Sequence, residues 1–160
     1  MLFRSVITSI FEPTEAVRSF ARQKGYQLIV VGDKKTPAHW QQDGCIYLSV
    51  EQQLELAPAF AQRIPFNHYG RKMLGYVYAM QQGAEVIIDT DDDNIPYAGW
   101  EFPSFEGDFT VSQPNLGWVN IYQHYTSQFI WPRGLPLRNI RDSREKLQWA
   151  SPGPQQVGIW

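Results

Sequence analysis

The chain has 160 residues, 43% hydrophobic and 19% charged, which is about one domain of ordinary globular composition. Its net charge is −2 and it has no basic block or stripe, which argues against nucleic acid as its main partner. The lone Cys45 excludes an intrachain disulfide framework and a Cys-rich zinc site.

No apolar run approaches the ~20 residues of a membrane span. The opening Met-Leu-Phe-Arg-Ser-Val-Ile-Thr is too short and strand-like for a signal peptide, so a cytoplasmic protein with no membrane span is expected. Six Trp and eight Tyr raise the aromatic fraction to 14%; such rings pack cores and also form stacking surfaces for sugars or bases.

In chain order, Phe3 to Ile10 reads as a strand. Thr14 is a helix cap for a segment from Glu15 to about Lys24, which Gly25 ends. Gln27 to Val31 is an apolar strand stopped by Gly32-Asp33. Strand, helix and strand within about thirty residues predict a βαβ unit and a parallel sheet. Lys34 to Asp43 is a loop, and Cys45 to Val50 a third strand in which the thiol is an inert core group. Glu51 to Gln62 is helical, with Pro58 breaking or kinking it. His68 to Gln82 is the clearest helix, with Met73, Leu74, Val77, Tyr78 and Met80 at apolar spacing and Gly83 as its stop.

The central, buried strand Val86-Ile87-Ile88 follows and runs into Asp89, Asp91, Asp92 and Asp93, four carboxylates within five residues. Like charges so close destabilise one another unless a cation sits among them, and hard divalent ions take oxygen ligands. Ligands of α/β sheets bind at the carboxyl ends of strands. These residues therefore read either as a metal site at the floor of a cleft or as a solvated turn whose carboxylates cap backbone amides. Residues 95 to 139 are rich in Pro, Gly and aromatics. Phe109 to Val111 and Trp118 to Tyr122 are candidate strands, and Trp131 to Leu137 is a rigid turn. Residues 1–140 are expected to form one domain. Residues 141–160, a charged and Pro-rich tail ending on Ile159-Trp160, look like the start of a missing second half.

Three further features carry chemistry. Gly70-Arg71-Lys72 opens the clearest helix and offers either an anion site or plain solvated charges. In a crossover connection its start is expected near the amino-end edge of the next strand, so it need not touch the Asp cluster. Asp33, at the end of the second strand, can accept from a ribose or a base N–H, or can be an ordinary turn residue. The loop Thr8-Ser9-Ile10-Phe11 can cradle a nucleoside. His39, His68 and His124 lack metal-ligand spacing and read as structural or surface groups. P-loop, Rossmann glycine fingerprint and nucleophile elbow are all missing from the sequence.

The run from Tyr69 to Asn94, with its "GRK…GY.YA…GA…DTDDDN" pattern, resembles the GT-A class of nucleotide-sugar glycosyltransferases with their "DxD" metal motif. Together with "WPRG.PL" at Trp131 to Leu137, it is most similar to the STELLO-like family, and more distantly to the reversibly glycosylated polypeptides, which are sugar mutases. The resemblance covers roughly residues 3 to 140. It implies a GT-A-like, Rossmann-like, mostly parallel α/β sheet binding a UDP- or GDP-linked sugar, with a glycan or small molecule as acceptor. Mn²⁺ or Mg²⁺ would bridge Asp91 and Asp93 to the diphosphate; Asp89 or Asp92 would contact sugar or ribose. Arg71 and Lys72 would face the diphosphate or sugar, Thr8 and Asp33 would hold the nucleoside, and Arg133 matches an Arg that carries sugar in the mutases. Met73 departs from the pattern, standing where a polar Asn is expected.

The implied function is metal-dependent glycosyl transfer, with the catalytic residue unassigned. The alternatives are a non-catalytic remnant that binds carbohydrate or a partner, a sugar mutase, and a nucleotidyltransferase. Completion of the cleft by a partner chain or by homo-oligomerisation would favour the enzyme.

Overall fold

The computed structural model describes residues 3–101, 106–109, 118–140 and 153–156. The chain divides into two units, the first ending at Glu101 and the second starting at Phe102. The first unit holds a four-stranded sheet made of β1 (Phe3–Thr8), β2 (Tyr26–Val31), β3 (Cys45–Leu48) and β4 (Val86–Asp89). The order is β3-β2-β1-β4 and every pairing is parallel, as the βαβ reading expects.

The apolar runs explain the arrangement. β1 and β2 are the inner strands, and Val6, Ile7 and Leu28 to Val31 are buried, the continuous pattern of parallel strands covered on both faces. β4 differs from the expectation. It pairs with β1 alone and is the outer strand of the described sheet, so Val86, Ile87 and Ile88 are half-buried, not fully buried. A strand with one neighbour has half its flank uncovered.

The helices begin where local chemistry says they should. α1 (Glu15–Ala21) is capped by Thr14, whose hydroxyl accepts from the Val17 amide at 3.2 Å. The helix expected over Glu51 to Gln62 is two helices, α2 (Val50–Leu56) and α3 (Pro58–Arg63). Pro58 opens the second, where a missing N–H costs nothing. Ser49 and Gln52 close a reciprocal capping box on α2. The long helix is preceded by a 3₁₀ turn (Tyr69–Arg71), and α4 proper is Lys72–Gln81, followed by Gly83 at φ +74°. No helix among the described residues is long and apolar enough to cross a membrane.

α4 lies close on the sheet. A Cβ at Gly75 would sit 2.5 Å from Val6 Cγ1 and 2.7 Å from Val31 Cγ2, so the absent side chain is what brings the backbone down onto the strands. Val6, Ile29, Val31, Leu48 and Ala79 form the core there.

In the second unit, β5 (Glu106–Phe109) pairs antiparallel with β6 (Gly153–Gln156). Of the strand expected at Phe109 to Val111, the last two residues lie outside the described residues, as do 141–152 and 157–160 of the expected tail. Trp118 to Tyr122 is not a strand. Asn120 is buried, its amide donates to Ile130 O at 2.7 Å, and its carbonyl caps a 3₁₀ turn over Ile121–His124.

Two outcomes check this packing. Gly75→Ala should lose about 1–2 kcal/mol of stability, because overpacking costs more than the helix propensity gained. A urea midpoint that rises instead would mean α4 is not so tightly seated. Burial, and then the charge of Asp43, push the Cys45 thiol up to about 11. Iodoacetamide should therefore label native protein slowly at pH 8 and urea-unfolded protein fast; labelling should quicken as pH rises towards that value. Equal rates in the two states would place the thiol in solvent.

Candidate functional site

The parallel topology brings the carboxyl ends of β1, β2 and β4 to one edge. The ladder runs past the strand ends: Ser9 N donates to Val31 O (3.2 Å), Gly32 N to Leu48 O (3.0 Å) and Thr90 N to Val6 O (3.4 Å). Thr8, Ser9, Asp33 and the Asp cluster are thereby held on one rigid edge.

At this edge the sequence-based expectation for Lys72 is corrected. α4 runs antiparallel to the strands it connects, so its start lies at the carboxyl edge, beside the end of β4. Lys72 Nζ donates to Asp89 Oδ1 at 2.6 Å, to Asp91 Oδ1 at 2.7 Å and to Thr90 O at 2.9 Å. Burial lowers the pKa of this ammonium, but hydrogen bonds and charge from Asp89 and Asp91 outweigh it, and the net shift is upward. Burial first, and then the same Asp89, push the Tyr76 hydroxyl upward as well, keeping it protonated.

Arg71 does not act as its twin. It is 1% exposed, and Lys72 8%, so neither is a solvated helix charge. Arg71 Nε donates to Gln53 Oε1 at 2.7 Å, and Nη1 donates to Ala61 O and Ile64 O, both at 3.2 Å, at the end of α3. The guanidinium also lies over the Phe66 ring, 4.5 Å from its centroid. Burial lowers its pKa, with the charge of Asp33 opposing. Nη2 is buried and has no hydrogen-bond partner among the described residues.

Arg71 lines a cavity of about 230 Å³ together with Thr8, Ser9, Asp33, His68 and Asp92. Asp33 belongs to a turn and to the cavity wall at once. Its Oδ1 accepts from Lys34 N (2.7 Å) and its Oδ2 from His68 N (3.3 Å), as a turn residue does, and it also forms part of the cavity wall. Asp92 faces the same cavity and is tied there, its Oδ2 accepting from Ser9 Oγ at 2.6 Å and its carbonyl from Thr14 Oγ1 at 2.6 Å. Phe11 and Tyr69 border the mouth with exposed rings. Trp40 steadies the first of them by donating from Nε1 to Phe11 O at 3.0 Å. Asp93 lines a different, open cavity on the turn's other side, with Thr90, Asn94, Tyr97 and Trp100.

Of the expected site residues, Thr8, Asp33, Arg71 and Asp92 meet at one cavity, while Lys72, Asp89 and Asp91 form an adjacent ion-pair cluster. Arg133 belongs to the second unit. It is exposed at the crest of a turn closed by Leu135 N donating to Pro132 O (3.4 Å), with Gly134 at φ +102°.

Among the described residues no three His, Cys, Asp or Glu side chains gather as a metal cage. Asp91 and Asp93 nevertheless present exposed carboxylates, the hard donors that Mg²⁺ or Mn²⁺ prefers, and such ions are usually held by one or two carboxylates plus substrate phosphates. The donor chemistry fits.

The sequence reading missed Gln53. It is wholly buried, its amide donates to Gly32 O and Leu48 O at 2.8 Å each, and its carbonyl orients Arg71. Nothing local distinguishes it from Gln52; the signal lies in strand carbonyls that only the fold brings near. Ser9 and Thr14 as anchors of Asp92 were hidden for the same reason.

A parallel, helix-covered sheet with an Asp-rich turn and a cavity at its carboxyl edge is an α/β fold of the GT-A-like glycosyltransferase kind. Two Arabidopsis thaliana proteins are similar in sequence. "Probable glycosyltransferase STELLO2" is 32% identical over 148 residues, 84% of this chain and 19% of that protein. "Probable glycosyltransferase STELLO1" is 33% identical over 141 residues, 80% of this chain and 18% of that protein. The chain belongs to this STELLO-like family, and it spans about a fifth of the length of these relatives. No family model matches it.

Gln53→Leu takes the amide donor from Gly32 O, one of two donors from Leu48 O and the acceptor from the Arg71 Nε–H in the interior. It should cost about 2–5 kcal/mol, measured by chemical denaturation. Gln53→Glu retains the acceptor for Arg71 and should lose less. Indistinguishable stability in both variants would remove Gln53 as the tie between β2, β3 and Arg71.

Proposed function

We propose that this chain is the nucleotide-sugar-binding part of a metal-dependent glycosyltransferase and takes a nucleoside diphosphate sugar at the carboxyl edge of the sheet. The observation that carries the reading is the buried, unpartnered Arg71 Nη2 beside a cavity that Asp33 and Asp92 also line.

In this reading the nucleoside occupies that cavity. Thr8 and Asp33 contact it from the ends of β1 and β2, and the spare N–H of Arg71 meets an acceptor atom of the ligand. Asp92, fixed by Ser9, faces the ribose. The diphosphate lies along the turn from Asp91 to Asp93. Bound on Asp91 and Asp93, Mn²⁺ or Mg²⁺ would supply Lewis-acid stabilisation to the departing diphosphate. The chain's own contribution is positional. Lys72 fixes Asp91 and neutralises part of the acidic turn, so a polyanion meets less repulsion there. Asp89, paired with Lys72 as Asp91 is, holds the end of β4 to the helix start beside the turn. The acceptor is a glycan or a small molecule.

An exposed Arg133 on a rigid turn supports one further reading, a mutase-like arginine that accepts sugar.

Calorimetric titration with UDP and GDP, with and without Mn²⁺, tests the main reading. One of the two nucleotides should bind with Mn²⁺ present, and Asp91→Ala and Asp93→Ala should each weaken that binding at least tenfold. Binding of neither nucleotide under any condition would overturn the reading; metal-independent binding untouched by both variants would move the diphosphate away from the turn.

A further inference from the structure

We infer that the open cavity beyond Asp93 is a pyranose-binding subsite, with Tyr97 as its stacking platform. The inference rests on the nucleotide-sugar reading for its place in the reaction, but not for its own chemistry. The cavity measures about 460 Å³ and combines two kinds of wall. Thr90, Asp93 and Asn94 supply a hydroxyl, a carboxylate and an amide. Tyr97, Trp100, Ile95 and Phe20 supply apolar and aromatic surface.

That combination matches a pyranose, whose ring presents a C–H face to an aromatic and a rim of hydroxyls to acceptors and donors. The polar wall is built and not merely adjacent. The Asp91-to-Asn94 turn is closed by Asn94 N donating to Asp91 O at 3.3 Å, and Asn94 Nδ2 donates to Thr90 Oγ1 at 3.4 Å. The aromatic wall is built as well. A second turn places Trp100 N on Tyr97 O at 2.9 Å, with Gly99 at φ +77°, and the Trp100 ring meets buried Phe20 edge-on at 5.6 Å. Trp100 is thus anchored, whereas Tyr97, part of the same lining, is 89% exposed and leaves its ring surface uncovered.

Position supplies the second argument. Asp92 lines the first cavity and Asp93 lines this one, so the two share the acidic turn as their dividing wall. A nucleotide sugar that places its nucleoside on one side and its diphosphate along the turn delivers its glycosyl unit to the other side. A free acceptor sugar has the same chemistry and would use the same wall.

Calorimetry and saturation-transfer NMR on the full chain, Tyr97→Ala and Tyr97→Phe decide the matter. The probes are UDP, GDP, UDP-glucose, UDP-galactose, GDP-mannose and the free disaccharide cellobiose. Tyr97→Ala should weaken binding of a nucleotide sugar about fivefold to tenfold and leave the parent nucleotide unaffected, while Tyr97→Phe, which retains the ring, should bind as wild type does. Dependence on Tyr97 for cellobiose alone would assign the subsite to the acceptor's sugar. Nucleotide binding with no Tyr97-dependent response to any sugar would overturn this inference and leave the nucleotide reading standing. Tyr97-dependent sugar binding without nucleotide binding would do the reverse. Silence from every probe would sink both.

Discussion

Lys72 is the interaction on which the described edge depends. A cation in the first turn of a helix is opposed by the helix dipole, and burial makes it costlier still. It is tolerated because the end of β4 delivers Asp89 and Asp91 to the same point, and because the Thr90 carbonyl takes the third ammonium proton. Both carboxylates are more than half exposed, so the pairs add little to overall stability. Their effect is geometric: the helix start, the last residue of the outer strand and the first residue of the acidic turn become one unit. Two of the four carboxylates in this short stretch are thereby paired with one ammonium, which offsets part of their mutual repulsion.

The second fixed point is the Gln53–Arg71 pair. Gln53 spans the carbonyls at the ends of β2 and β3 and turns its own oxygen to the guanidinium, which in turn satisfies the end of α3. One amide thus donates to the Gly32 and Leu48 carbonyls, the second of which also accepts from Gly32 N, while Arg71 serves the end of α3. The guanidinium has five N–H bonds to place, and the described neighbours take those of Nε and Nη1. A buried charge with unused donors is unfavourable on stability grounds alone, which is why Arg71 reads as belonging to the cavity as well as to the core.

What could be read from the sequence was local. Thr14 as a cap, Gly83 as a stop, Pro58 as an interruption and the apolar runs of β1 and β2 are each signalled by their own neighbours, and each is found; Gly25 is not the stop, since α1 ends at Ala21 and Gly25 turns the chain into β2 at φ +81°. Asp33 and Thr8 were legible because strand ends followed by polar residues mark the carboxyl edge of a parallel sheet. Long-range facts were not legible. β4 reads as central because Val86-Ile87-Ile88 is β-branched, yet strand order is set by which flank of β1 remains open. The nearness of Lys72 to the Asp cluster depends on the antiparallel course of α4, which places the helix start at the carboxyl end of β4. Trp118 to Tyr122 has strand-like residues, but Asn120 bonds to Ile130 O, ten positions on, and starts a 3₁₀ turn instead.

The three consecutive aspartates are better understood as three positions than as one charge cluster. Past the end of β4 the chain leaves the sheet in a tight turn, closed by Asn94 N donating to Asp91 O, and consecutive side chains meet different neighbours. Asp91 turns back to Lys72, Asp92 to Ser9 and the first cavity, and Asp93 to the second cavity. Moving any one carboxylate by a single residue would exchange these neighbours, and a plain pair separated by one arbitrary residue would lose the Ser9 anchor that ties the turn to β1. The contiguous triplet therefore follows from geometry: one residue fixes the turn to the helix, one fixes it to the inner strand, and the third is left exposed to whatever occupies the far side.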